Sequence, residues 1–275
     1  MKQVCGICPR HCALEEGQTG FCRARVNRGG EIVCGNYARV SALALDPIEK
    51  KPLARFHPGA KILSVGSYGC NLRCPFCQNY GISMTGEDEI ACRTILPKEL
   101  VALAKAHRSE GNIGIAFTYN EPLVGYEYVR ECAALAKQNG LITVLVTNGM
   151  ICEKPWLEIL PLIDAVNIDL KGFSEACYKA VGGDFETVKR AISLAAERIH
   201  VEVATLVVPG MNDDEAMMRE QSKWLAGLQS DVTLHITRFF PMYRMRDRAP
   251  TPIARIEKLA RIAGDYLPHV NIGNC

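Results

Sequence analysis

From about Lys61 onward, short β-branched runs alternate with longer amphipathic stretches, and this alternation limits the available folds more than any other feature. The apolar runs are KILSVGS (Lys61–Ser67), IGIAFTY (Ile113–Tyr119), LITVLVT (Leu141–Thr147), DAVNIDL (Asp164–Leu170), IHVEVATLVV (Ile199–Val208) and VTLHITRFF (Val232–Phe240). Near-continuous apolar runs of this length suit parallel strands covered on both faces. Between them, PKELVALAKAHRSEG, EPLVGYEYVRECAALAKQNG, FETVKRAISLAAERI and DDEAMMREQSKWLAGL carry helical patterns, and TPIARIEKLARIAGDYL follows the sixth run. Six βα units in series fit an α/β fold of the partial (β/α)6, TIM-like barrel kind, with chemistry on loops at the carboxyl ends of the strands. A doubly wound sheet would show the same alternation.

Residues 1–60 lack this rhythm and read as a small Cys-rich metal-binding appendage, with DPIEKKPLARFHPG (Asp46–Gly59) as its strap into a barrel spanning 61–275. At 275 residues and 48% hydrophobic, the chain is long enough to bury a large core. Its net charge of +2 singles out neither nucleic acid nor an anionic membrane as partner. The local run RFFPMYRMRDR reads as a solvated loop with scattered arginines in preference to a polyanion site. With no apolar leader at the amino terminus and no run of about 18 apolar residues, the expectation is a soluble, cytoplasmic protein.

Thirteen cysteines in such a chain point to metal rather than disulfides, because seven of them fall in two tight clusters. In YGCNLRCPFCQNY, Cys70, Cys74 and Cys77 are spaced C-x3-C-x2-C just after the first expected strand. Structural zinc would need a fourth ligand, and no His or Cys follows within the next dozen residues. Three thiolates can instead ligate three irons of a [4Fe–4S] cube, leaving the fourth iron open to an exogenous chelate.

This motif, with Phe76 before its last cysteine, resembles the signature of the radical S-adenosylmethionine (radical SAM) superfamily. The amino and carboxylate groups of S-adenosylmethionine would supply the missing chelate. Further segments match in order. FTYNEP places Asn120 and Glu121 where the superfamily has a Gly-Gly-Glu turn, which implies that Glu121 binds the methionine ammonium. A glutamate before proline equally suits the N-terminal charge of a helix.

LVTNG, with Thr147 and Asn148, and NIDLKGF, with Asp169 and Lys171, resemble segments of glycyl-radical-enzyme activases such as pyruvate formate-lyase activating enzyme. In those activases an acidic residue before the threonine helps to hold a monovalent cation; here that residue is Val146, which argues against a cation site built from Asp169 and Thr147. Asp169 and Lys171 share one strand face and could equally form a buried ion pair. The resemblance places Phe76 and Asn120 beside the cofactor, His235 and Arg238 near its ribose or carboxylate, and NIGN (Asn271–Asn274) near its adenine. A lone histidine in an apolar strand is also commonly a hydrogen-bonded core residue.

The second cluster, Cys5, Cys8, Cys12 and Cys22, has the spacing C-x2-C-x3-C-x9-C. Four thiols can close a tetrahedral zinc site or fully ligate another [4Fe–4S] cluster, and either would staple so small a segment. Together with DPIEKKPL, FTYNEP, NIDLKGF and HITRFFP, this cluster resembles the radical SAM member of the AmmeMemoRadiSam system. Many members close with a cysteine pair, whereas this sequence ends at Cys275 just after NIGN, so no tail-borne ligand is expected.

The resemblance implies an enzyme that cleaves S-adenosylmethionine to a 5′-deoxyadenosyl radical and abstracts hydrogen from a substrate, which for an activase is a glycine of a partner protein. It implies an electron donor of the flavodoxin or ferredoxin type. The rivals are a radical enzyme acting on a small molecule or protein side chain, and a non-enzymatic iron–sulfur carrier. A carrier has no use for an open iron.

Overall fold

The computed structural model describes residues 2–228 and 231–275. One eight-stranded sheet organises the chain. Its strands are β1 (Ala42–Pro47), β2 (Lys61–Gly66), β3 (Asn112–Phe117), β4 (Ile142–Thr147), β5 (Ala165–Asp169), β6 (His200–Val207), β7 (Thr233–Arg238) and β8 (Val270–Gly273). They lie side by side in chain order. Strands β2 to β8 are parallel, while β1 runs antiparallel along β2 from Ala42 opposite Gly66 to Pro47 opposite Lys61.

All the strands expected from the apolar runs are present, and two more flank them. β8 is formed by part of the NIGN segment. β1 takes up residues expected in the amino-terminal appendage and strap; its half-exposed pattern, with Leu43 39% exposed, carries no clean period.

Helices Pro97–Ala106, Tyr126–Gln138, Phe185–Ala196, Glu215–Ala226 and Ile253–Gly264 cover the outer face. Their stripes, exemplified by Leu100, Val129, Val188, Leu225 and Leu259, pack with the outward strand residues Leu63, Ile115, Leu145, Val166 and Val203 in one core. The expected helix from Glu121 starts only at Tyr126, because Pro122–Gly125 forms a 3-10 turn first. A short helix, Glu175–Val181, precedes the Asp184-capped helix Phe185–Ala196. Among the described residues no helix is long and apolar enough to cross a membrane.

The inward faces of the strands differ along their length. At the amino-terminal end Ile62, Ala116, Val144 and Ala165 pack around fully buried Ile48 and Leu53 from the segment after β1. This segment, a 3-10 turn at Ile48–Lys50 followed by loop, therefore plugs one end of the sheet and forms a floor. Towards the carboxyl ends the inward residues become smaller or polar, and a cavity of about 920 Å³ opens above the floor. It is lined both by Asp46 of β1 and by Asn271 of β8, which in a flat sheet would stand about 34 Å apart. The sheet is thus curled into an open barrel, in agreement with the expected α/β architecture.

Candidate active site

The loop that leaves β2 carries Cys70, Cys74 and Cys77 at the carboxyl end of the sheet, and all three line the cavity. Its course is held by side chains from neighbouring strand ends. Asn120 accepts from the Ser67 N–H at 3.0 Å and donates to the carbonyls of Tyr68 and Gly69 at 3.1 and 3.0 Å. Asn71 donates to Met150 O at 2.7 Å, and Asn148 donates to Asn71 Oδ1 at 2.9 Å. The Leu72 N–H points at Cys70 Sγ at 3.3 Å. Burial pushes all three thiols above their ordinary pKa, Cys74 to about 11, while Lys171 pulls Cys74 and Cys77 back towards ionisation.

Gly69 needs its missing side chain: its φ is +88°, and a Cβ there would lie 2.4 Å from Cys22 O. Gly69→Ala is expected to destabilise the fold by ~1–3 kcal/mol, read as a lower thermal midpoint, since both conformation and space oppose the methyl group.

Glu121 is buried at the cavity wall and occupied by the chain itself. Its Oε1 accepts from Leu123 N–H at 3.0 Å and Thr147 Oγ1 at 2.7 Å, and its Oε2 from Asn148 N–H at 2.8 Å. The capping role and a cavity-facing position therefore coincide in one residue. Burial raises its pKa to about 7, against the pull of the Asn148, Thr147 and Leu123 donors.

Asp169 and Lys171 form an ion pair at 2.9 Å and also line the cavity. Thr147 turns its hydroxyl to Glu121, so the structure does not join it with Asp169 in one hydrogen-bonded group. Phe76 is buried in the core and borders the cavity, as do Asn120, Asn148 and half-buried Val146.

His235 reaches the cavity, but its Nε2 meets Glu202 at 2.6 Å. Arg238 is not among the residues lining the cavity. Its Nε donates to Thr251 O at 2.7 Å and its guanidinium lies over Phe240. The reason is strand geometry: Thr237, not its neighbour Arg238, shares the inward face with His235.

Three cavity residues went unnoticed in the sequence. Tyr119, in a left-handed conformation at φ +73°, donates to Asp46 at 2.6 Å, and Lys51 pairs with the same carboxylate at 2.8 Å. Asp46 and Lys51 sit in the strap, where no periodicity marks them.

Among the described residues, no three Cys, His, Asp or Glu side chains converge to hold a single metal ion. Three thiols on one loop, all lining one cavity, suit a polynuclear cluster, which takes one thiolate on each of three irons.

Comparison with known proteins agrees with this geometry. A family model described as the Radical SAM superfamily matches residues 64–220, which include the cysteine loop, Glu121 and the Asp169–Lys171 pair. An uncharacterized protein of Methanocaldococcus jannaschii is 40% identical over 99% of this chain and 81% of its own length. Pyruvate formate-lyase 1-activating enzyme of Escherichia coli is 29% identical, with the match covering 58% of this chain and 65% of that enzyme. The crystal structure of a domain of pyruvate-formate lyase-activating enzyme from Bacteroides vulgatus superposes with a TM-score of 0.51 at 20% identity, covering 58% of this chain and 99% of that domain. The match runs through the cysteine loop and the strand ends that hold it, and the chain belongs to the Radical SAM superfamily.

Proposed function

We propose that Cys70, Cys74 and Cys77 ligate a [4Fe–4S] cluster at the cavity mouth and that S-adenosylmethionine binds beside it, on the side of Glu121. The observation that carries this reading is the presence of three thiols on one loop, opening into the same cavity as Glu121 and the Asp169–Lys171 pair. When bound, cluster and cofactor supply reductive C–S cleavage to methionine and a 5′-deoxyadenosyl radical, which removes hydrogen from a substrate.

The residues of the chain serve that chemistry by position and charge. Glu121 offers a carboxylate to the N–H groups of the methionine amino group and is held in place by Thr147 and Asn148. Lys171 sets a positive charge beside Cys74 and Cys77, and Asp169 keeps it there. Ile48 and Leu53 close the floor and exclude water from below.

The finer reading is an activase that takes hydrogen from a glycine of a partner protein, fed by a one-electron donor of the flavodoxin or ferredoxin type. It is supported by the likeness to pyruvate formate-lyase 1-activating enzyme. Anaerobically reconstituted protein given S-adenosylmethionine and dithionite is expected to release methionine and 5′-deoxyadenosine. Adding candidate glycyl-radical proteins tests the finer step by electron paramagnetic resonance (EPR). Absence of cleavage by well-loaded protein overturns the proposal, whereas cleavage without a glycyl radical in any candidate removes only the activase reading.

Glu121→Gln is expected to weaken S-adenosylmethionine binding by ~1.5–3 kcal/mol, about ten- to a hundredfold in Kd, as a charge-assisted hydrogen bond becomes a neutral one. Because the carboxyl titrates at about 7 and an amino N–H donates more strongly to its ionised form, wild-type affinity should rise with pH through that value. The variant should lose this dependence. Isothermal titration across the pH range checks both, and an unchanged Kd would leave Glu121 a cap alone.

A further inference from the structure

The amino-terminal cysteine segment is seated on the central cysteine loop. The Cys70 N–H donates to Cys22 O at 3.1 Å. Gly69 lies flush against the same carbonyl. Arg73 hydrogen-bonds the carbonyl of Phe21, and the guanidinium groups of Arg10 and Arg73 lie 3.5 and 3.8 Å from the centre of the Phe21 ring. Arg10 also donates to Asn71 O at 2.9 Å. The Cys70–Cys22, Arg73–Phe21 and Arg10–Asn71 contacts join the two cysteine-bearing segments, so a group held by one stands next to a group held by the other.

The chemistry around Cys22 parallels that around Cys70. An N–H from Arg25 points at Cys22 Sγ at 3.4 Å, as Leu72 N–H does at Cys70. Hydrogen bonds of this kind to ligand sulfurs tune the potential of an iron–sulfur centre. Cys5, Cys8 and Cys22 are buried, and Cys12 is half-buried beside Gly20. Arg25, 5% exposed, pairs with Glu127 through its terminal nitrogens, yet its Nε is buried without a partner. An orphaned cationic donor beside thiols is what an anionic metal–sulfur centre would satisfy.

We propose that Cys5, Cys8, Cys12 and Cys22 hold a second, fully ligated [4Fe–4S] cluster, which relays electrons to the central site across the Cys22–Cys70 contact. A low-potential one-electron donor, such as a reduced ferredoxin- or flavodoxin-type protein, loses one electron to this cluster. The cluster then passes the electron inward and returns to its oxidised state, with no bond or proton changing place. Electron tunnelling falls steeply with distance, and the hydrogen bond between the two ligand residues provides a short path. The proposal rests on the central thiols carrying a cluster of their own.

The test uses the full chain, reconstituted anaerobically with iron and sulfide in the presence of zinc. Wild type is expected to carry about eight irons and no zinc, and on reduction to give an EPR spectrum broadened by coupling between two neighbouring spins. The Cys70→Ala/Cys74→Ala/Cys77→Ala variant should keep about four irons and a sharper, uncoupled signal. Should that variant not fold, Cys8→Ala/Cys22→Ala gives the complementary reading, a fall from about eight irons to about four. About one zinc per chain in place of the second four irons overturns the proposal, and so does a wild-type spectrum equal to the sum of two uncoupled clusters. If the central reading fails instead, the triple variant carries the same iron as wild type, which separates the two failures.

Discussion

Cys74→Ala protein, reconstituted anaerobically, is expected to cleave no S-adenosylmethionine above the background of cluster-free protein. The loss should be complete because a cube held by three thiolates is left with two. Cys74 is 7% exposed and lies in the field of Lys171, so a water or hydroxide ligand would have to be accommodated in a buried, already charged setting. Removing one buried thiol leaves only a small void, and far-UV circular dichroism should match wild type. Iron content and the EPR signal assigned to the central cluster should fall with the activity. Normal cleavage by well-loaded Cys74→Ala protein would refute the assignment of this loop.

Glu202→Ala should be among the most destabilising single changes in the chain, although the residue takes no part in the proposed chemistry. Glu202 is fully buried on the inward face of β6. It accepts from the N–H groups of Ala54 and Arg55, both at 2.9 Å, and meets His200 Nε2 at 2.9 Å and His235 Nε2 at 2.6 Å. One carboxylate thus ties the floor segment to two strands. Truncation leaves these donors facing a void, at a cost of ~3–5 kcal/mol and a fall of roughly 10 °C in thermal midpoint.

The pH dependence has a definite sign. Burial opposes ionisation, but the two histidines and the two N–H groups outweigh it and hold the folded carboxyl at about 2, against an ordinary 4.5. A depressed folded pKa stabilises the protein above the unfolded value and loses that stabilisation as pH falls through the folded one. The contribution is therefore full above about pH 4.5 and disappears towards pH 2, amounting to about 3 kcal/mol. Denaturant titrations should show wild type losing more stability than the variant across that window. Parallel pH profiles would remove Glu202 from this role.

The parallel strands and the cysteine loop were legible in the sequence for a local reason. A strand buried on both faces must be apolar throughout, and a cluster loop must present its thiols within a few residues, so both leave compact patterns such as IGIAFT and C-x3-C-x2-C. The edge strand β1, the floor and the relation between the two cysteine segments leave no such pattern. Their partners lie far apart along the chain: Glu202 joins residues 54, 55 and 235, and Cys70 meets Cys22. Asp46 and Lys51 acquire a shared cavity wall with Tyr119 only once β1 is laid along β2. Even Glu121, visible from its motif, showed in the sequence only that it could cap or bind; the parallel pairing of β3 with β4 brought Thr147 and Asn148 onto its carboxylate. Short-range periodicity determined which elements form. Closure of the barrel, a long-range event driven by burial of both sheet faces, decided which of their side chains meet.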